Sequence, residues 1–195
     1  GLGFSENGVL QLYNNLALHG YSPGDITMVL MSHLHRDHAG GMAISDPYSG
    51  VAHLSFPHAQ YFINEKELDY ALHAGNASYD AERLSILEGN EKVHLVDNHG
   101  MIDGHIQHEL SGGHSPFHQV FWIREDNEVV FFGGDEAPQL QQMKTKFVAK
   151  YDHDGKKAME LRQKWWEISV EEHWQFLFYH DIKTPVYKAL EDKNQ

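Results

Sequence analysis

Apolar positions along this chain change period about halfway. Over residues 7–19, Leu10, Tyr13 and Leu16 recur at helical spacing, and Gly20 follows where a left-handed cap belongs. Ser22-Pro23-Gly24-Asp25 reads as a turn. A short apolar strand over 26–31 comes next, and a second over 59–63 leads into a helix over 65–73. Residues 76–91 are polar and partly helical, and read as an insertion over a site. From residue 93 onwards strands dominate, at 93–96, 105–110, 119–124 and 129–132, with Glu125-Asp126-Asn127 as a hairpin turn. Asp154 is placed to cap a helix over 155–173, where Ala158, Leu161, Trp165 and Ile168 form an amphipathic stripe. Its two tryptophans read as core or helix-to-sheet packing in preference to a pocket wall. An apolar strand follows over 176–179, ending in His180, and 191–195 reads as a solvated tail. The order predicts one α/β domain over residues 1–195, without repeats or low-complexity segments.

Composition narrows the function classes. At 195 residues, with 41% hydrophobic and 12% aromatic residues, the chain can bury a sizeable core. No run approaches the roughly 20 apolar residues needed to cross a bilayer, so no membrane partner is expected. The formal charge is −13, which argues against nucleic acid, because phosphate backbones call for clustered Lys and Arg. With no cysteine, the chain has no disulfides, no cysteine-containing zinc site and no cysteine nucleophile.

The chemistry concentrates in His33-Leu34-His35-Arg36-Asp37-His38. Imidazole nitrogen and carboxylate oxygen are the donors that zinc takes where a site must stay open for reaction. Alternation puts His33 and His35 on one side of an extended segment, and a turn is needed to bring Asp37 and His38 back. Three later segments set a ligand-type residue beside glycine or at a strand exit. These are His114 in Ser111-Gly112-Gly113-His114, Asp135 after Val129–Gly134, and His180 after Phe176–Tyr179. In 105–110 the alternation makes His108 a packed histidine rather than a ligand. His118 reads either as a residue that orients a ligand or loop, or as a surface histidine. Arg36 faces either a pocket or solvent.

With those motifs in that order, the chain resembles the metallo-β-lactamase superfamily of metal-dependent hydrolases, from Gly1 to about His180. The resemblance is to its lactonase-like branch. It implies an αββα sandwich, incomplete at the N-terminus. Gly1 matches the glycine of a turn that in relatives follows several strands, so about 50 to 100 residues of a larger parent domain are expected to be missing. A signal peptide would lie in that part, so the compartment stays open. The resemblance implies His33, His35 and His114 as ligands of one metal, Asp37, His38 and His180 as ligands of a second, and Asp135 as the bridge. The cofactors implied are two divalent ions, zinc by default, with manganese, iron or cobalt accepted by an all-N/O site. Two departures stand out. Gly112 and Phe117 replace a proline and a glycine of the third motif. Pro138 stands where lactonases of acyl-homoserine lactones carry a tyrosine, which counts against that lactone here; Tyr179 is a conceivable substitute.

The expected function is a hydrolase of small esters, lactones or related molecules. Two ions about 3.5–4 Å apart can share a water and lower its pKa to about 7, giving a hydroxide at neutral pH. Asp37 and Asp135 are the catalytic carboxylates, with Asp37 either a ligand or a group that orients the nucleophile or takes its proton. The alternatives are a phosphotriesterase-like or glyoxalase-II-like thioesterase, a mononuclear iron dioxygenase acting on sulfur compounds, and an inactive metal-binding fragment. A truncated sheet would expose an edge able to pair with another chain, so a homodimer is a further expectation.

Overall fold

Among the described residues all strands but one run three to five residues, and the register between strands decides where the loops emerge. The computed structural model describes residues 9–46 and 48–190. Gly1, the first residues of the predicted first helix and the 191–195 tail lie outside the described residues. Contacts divide the chain into two units, one ending at Val96 and the other starting at Asp97.

In the first unit, α1 (Gln11–Leu18) stops as expected, with Gly20 at φ +81° and its N–H donating to Ala17 O. Ser22 and Asp25 cap each other around one turn of 3-10 helix. β1 (Met28–Leu30) runs through the His-rich loop into α2 (Arg36–Ala39). A hairpin that the pattern did not predict follows, formed by β2 (Ala43–Ser45) and β3 (Ala52–Leu54). Strands of three residues are too short to carry a period. β4 (Gln60–Asn64), α3 (Glu65–His73), α4 (Ala81–Leu84) and β5 (Val93–Val96) complete the unit. β1, β4 and β5 form a parallel sheet with β4 in the middle. Tyr61 and Ile63 alternate onto the buried face of β4, where they join Leu34, Leu68, Ala71, Leu84 and Leu87 in one core cluster.

The second unit is a six-stranded sheet. β6 (His99–Ile102), β7 (Ile106–Leu110), β8 (Gln119–Glu125) and β9 (Glu128–Phe132) form an antiparallel meander. α5 (Leu140–Met143) and α6 (Gly155–Glu172) precede β10 (Gln175–Leu177) and β11 (Val186–Lys188). β10 lies parallel to β9, and β11 closes the sheet antiparallel. Asp154 caps α6 by accepting from Lys157 N–H. Buried Phe131 packs against Trp122, Trp165, Trp174 and Phe176, at centroid distances of 5.1, 5.0, 5.4 and 5.5 Å. Aromatic pairs of this kind add about 0.5–1.5 kcal/mol each beyond the burial itself. Trp166 stacks on Phe176 and Tyr187, so both helix tryptophans serve packing, as the stripe predicted.

Candidate metal centre

The first unit delivers four ligand-type side chains from one loop. Met31 N–H donates to Phe62 O and extends the pairing of β1 by one residue. The chain then stays extended, with Leu34 fully buried between His33 and His35. Imidazole centroids lie 4.5 Å apart for His33 and His35, and 4.2 Å for His33 and His38. The turn that the pattern required is α2: His38 and Ala39 N–H both close on His35 O. Asp37 sits beside His38, with Oδ2 3.5 Å from Nε2. Ser32 Oγ is 3.2 Å from His33 Nδ1.

A buried carboxylate that the sequence reading missed holds this loop. Asn64 caps α3 by accepting from Lys66 and Glu67 N–H. At that position Glu67 has the spacing of a reciprocal cap. Its Oε1 accepts from Leu34 N–H at 2.8 Å and from Tyr79 O–H at 3.1 Å. The Tyr79 ring meets the His35 ring edge-on at 4.8 Å. The polar 76–91 stretch also grips the motif. Arg36 N–H donates to Ser78 O, Arg36 Nε to Tyr79 O, and Arg83 Nη1 to Gly40 O. Arg36 is therefore committed to backbone contacts at the motif's edge.

The second unit gathers His114, Asp135 and His180. Asp135 and His180 follow the adjacent parallel strands β9 and β10. His180 Nε2 lies 3.2 Å from Asp135 Oδ1, and His114 Nε2 lies 3.5 Å from Asp135 Oδ2. His114 Nδ1 donates to buried Asp152 Oδ1 at 2.9 Å. That bond fixes the ring so that the lone pair of the neutral imidazole sits on Nε2, facing Asp135. Burial works to lower the His114 pKa, but the Asp152 bond and the charges of Asp135, Asp152 and Glu136 outweigh it and hold the imidazole above its usual range.

Glu136, fully buried, clamps the His114 loop. Its two oxygens accept from Gly113 and His114 N–H, both at 2.6 Å, and its carbonyl accepts from buried Arg162. Burial pushes the Glu136 carboxyl up despite these donors. Gly113 has no room for a side chain, since a Cβ there would lie 2.8 Å from Glu136 Oε1 and 2.9 Å from Ala158 N. Asp135 N–H donates to His118 Nε2, so the His118 hydrogen is on Nδ1, next to Ser111 Oγ at 2.8 Å. His118 is thus a buried residue that orients a candidate ligand. The His180 turn is tied down by Pro138 O, which accepts from His180 N–H, and by Gln139, which donates to His180 O. His108 is buried, with its ring packed over Gly100, as the alternation indicated.

Each unit thus gathers imidazole nitrogen and carboxylate oxygen donors, a His-rich set of candidate metal ligands. The match to a family model, described as "Metallo-beta-lactamase superfamily", runs over residues 1–192. The chain belongs to the metallo-β-lactamase superfamily. Its fold agrees with this assignment. A probable metal-dependent hydrolase from Staphylococcus aureus superposes with a TM-score of 0.82 at 25% identity, covering 98% of this chain and 72% of the other. AidC, a dizinc quorum-quenching lactonase solved with a product, superposes with a TM-score of 0.75 at 22% identity over 95% of this chain and 68% of the other. In sequence, the N-acyl homoserine lactonase AttM of Agrobacterium fabrum is 30% identical over 118 residues, which is 55% of this chain and 40% of the relative. AttM of Azorhizobium caulinodans is 28% identical over 112 residues, 54% of this chain and 38% of the relative. The match therefore spans about two fifths of the length of these curated relatives.

Proposed function

We propose that this chain is a hydrolase of small esters, lactones or related molecules. His33, His35 and His114 would hold one divalent ion, Asp37, His38 and His180 a second, and Asp135 both. What carries the reading is Asp135: two imidazole Nε2 atoms, 3.5 and 3.2 Å away, face the two oxygens of its one carboxylate. Imidazole nitrogens aimed at a carboxylate suit a shared cation, and the Asp152 bond to His114 is the usual outer support of such a ligand. Ions held there would supply Lewis-acid polarisation of an ester oxygen and a water acidified to about neutral pH. The chain's own residues keep the imidazoles oriented, and Asp37, its side chain half exposed, is available to orient the attacking water or take its proton. Among the described residues no helix is long and apolar enough to cross a membrane, and the lactonase relatives support a small-molecule substrate.

The test is metal content by elemental mass spectrometry, with a His114→Ala control, followed by turnover of γ-lactones, aryl esters and phosphotriesters. About two zinc, manganese or cobalt ions per chain, reduced in the control, with hydrolysis of one of these classes, is the expected result. About one iron, with oxygen consumption, would replace the reading with a dioxygenase. Failure to take up metal on reloading would overturn it.

A further inference from the structure

Tyr151 plays no part so far, yet it stands at the candidate centre. Its ring meets the His114 ring edge-on at a centroid distance of 5.9 Å. It is 68% exposed, unusual for an aromatic ring on a well-anchored loop. The anchoring is dense. Phe147 O accepts from Arg162 Nη2 at 2.6 Å, and Ala149 is buried. The residue after Tyr151 is Asp152, bonded to His114 Nδ1. His153 N–H donates to His114 O at 3.0 Å, and Asp154 N–H to Gly113 O at 2.7 Å. The loop is thus sewn to the His114 backbone on one side and to the His114 ring on the other. A phenol so held covers one edge of a candidate ligand and presents the rest of its ring to incoming molecules.

We infer that Tyr151 is a substrate-contacting, specificity-determining residue, its hydroxyl donating a hydrogen bond to a carbonyl or phosphoryl oxygen of the bound substrate. The Gln142 side chain donates to the phenol oxygen, which leaves the phenolic hydrogen to donate and settles its orientation before substrate arrives. The class of ligand follows from the donor: a neutral or anionic oxygen acceptor attached to a group that lies against an aromatic face. Tyr179 is the competing phenol. It meets the His180 ring edge-on at 4.9 Å and is 41% exposed. Tyr151 is favoured because its loop is bonded to the ligand it covers at two points, through the Asp152 side chain and His153 N–H, and to the adjoining Gly113 at a third.

The inference rests on the hydrolase reading, and two readouts keep them apart. One is turnover of para-nitrophenyl butyrate and γ-butyrolactone by the metal-loaded protein and by Tyr151→Phe, Tyr151→Ala and Tyr179→Phe. The other is nuclear magnetic resonance of isotope-labelled tyrosine during titration with butyrate, a product-like carboxylate, with the Tyr151 signal assigned by its loss in Tyr151→Phe. Phe keeps the ring and removes only the donor. The expected result is a loss of about tenfold or more in kcat/KM for Tyr151→Phe at unchanged metal content, a smaller loss for Tyr179→Phe, and a Tyr151 signal that moves with butyrate. Hydrolysis by the parent with Tyr151→Phe equal to it and no movement of the signal would sink the Tyr151 role and leave the hydrolase. So would a Tyr151→Ala variant that only loses metal, since the ring would then be a cover. Movement of the signal without hydrolysis would sustain Tyr151 and remove the hydrolase. Neither movement nor hydrolysis would overturn both.

Discussion

Glu136→Gln is the most direct test of how the second unit positions His114. Glu136 uses both carboxylate oxygens, one for Gly113 N–H and one for His114 N–H, and is fully buried. Glutamine has the same shape but only one oxygen. Whichever way its amide turns, an NH2 group faces a backbone N–H. One of the two backbone bonds is lost, the contact with the Ser111 side chain aside, and a buried N–H goes unsatisfied, at about 1–3 kcal/mol. The donor-against-donor contact adds to this. The neutral amide is cheaper to bury, in line with the raised carboxyl pKa, and returns part of the loss. The net expectation is a destabilisation of about 2–4 kcal/mol. For a chain of this size that corresponds to a fall in Tm of about 4 to 16 °C. Urea unfolding followed by far-ultraviolet circular dichroism, on metal-free protein, reads it directly. A variant within about 0.5 kcal/mol of the parent would refute the two-oxygen clamp.

Three further outcomes are expected. Asp152→Asn keeps the size of the side chain but removes the charge that orients His114, and should weaken metal affinity by about 10- to 100-fold, measured by competition with a chelator; unchanged affinity would count against the orienting bond. Gly133→Ala places a Cβ 2.5 Å from Ala137 Cβ and 2.9 Å from Phe131 Cε1, and should cost about 1–3 kcal/mol in thermal unfolding, with an unchanged Tm as the contrary result. Burial pushes the Tyr61 hydroxyl up to about 12. The folded value lies above the ordinary one near 10, so the stability from the neutral phenol is complete below about pH 10 and is lost as pH rises towards 12. The loss is about 3 kcal/mol for a shift of about two units. Tyr61→Phe should remove that alkaline dependence, as judged from urea midpoints on either side of pH 10; a parallel decline in both proteins would exclude it.

The ligand-type residues were legible because the chemistry is local. Three histidines and an aspartate fall within six positions, and Asp135 and His180 each follow an apolar strand. The long helix was legible for a similar reason, since its stripe and its Asp154 cap are both read within a few residues. The supports were hidden because their partners are remote. Glu67 grips Leu34 from 33 residues away, and Asp152 grips His114 from 38. Nothing near Glu67 separates it from an ordinary helix-start acid, and Glu136 is masked by its neighbour Asp135. β6 escaped notice although Asp103 and Gly104, both at positive φ, mark the turn that ends it. Its Gly100 makes room for the His108 ring, so the strand lacks an apolar residue where a period would show.

The pairing of β9 with β10 has a consequence for how such a chain can vary. Phe132 is opposite Leu177, and Asp135 and His180 each follow their strand partner by three residues. The ladder therefore acts as a ruler between them. Slipping it by one residue would shift His180 by about 3.3 Å along the strand and turn β10 inside out. The crossover through α6 carries none of that measurement. Insertions between Met143 and Asp154 that spare the Phe147–Asp154 anchors can lengthen the route from one residue to the other while their separation in space stays the same. A single residue added between Leu177 and His180 would abolish it.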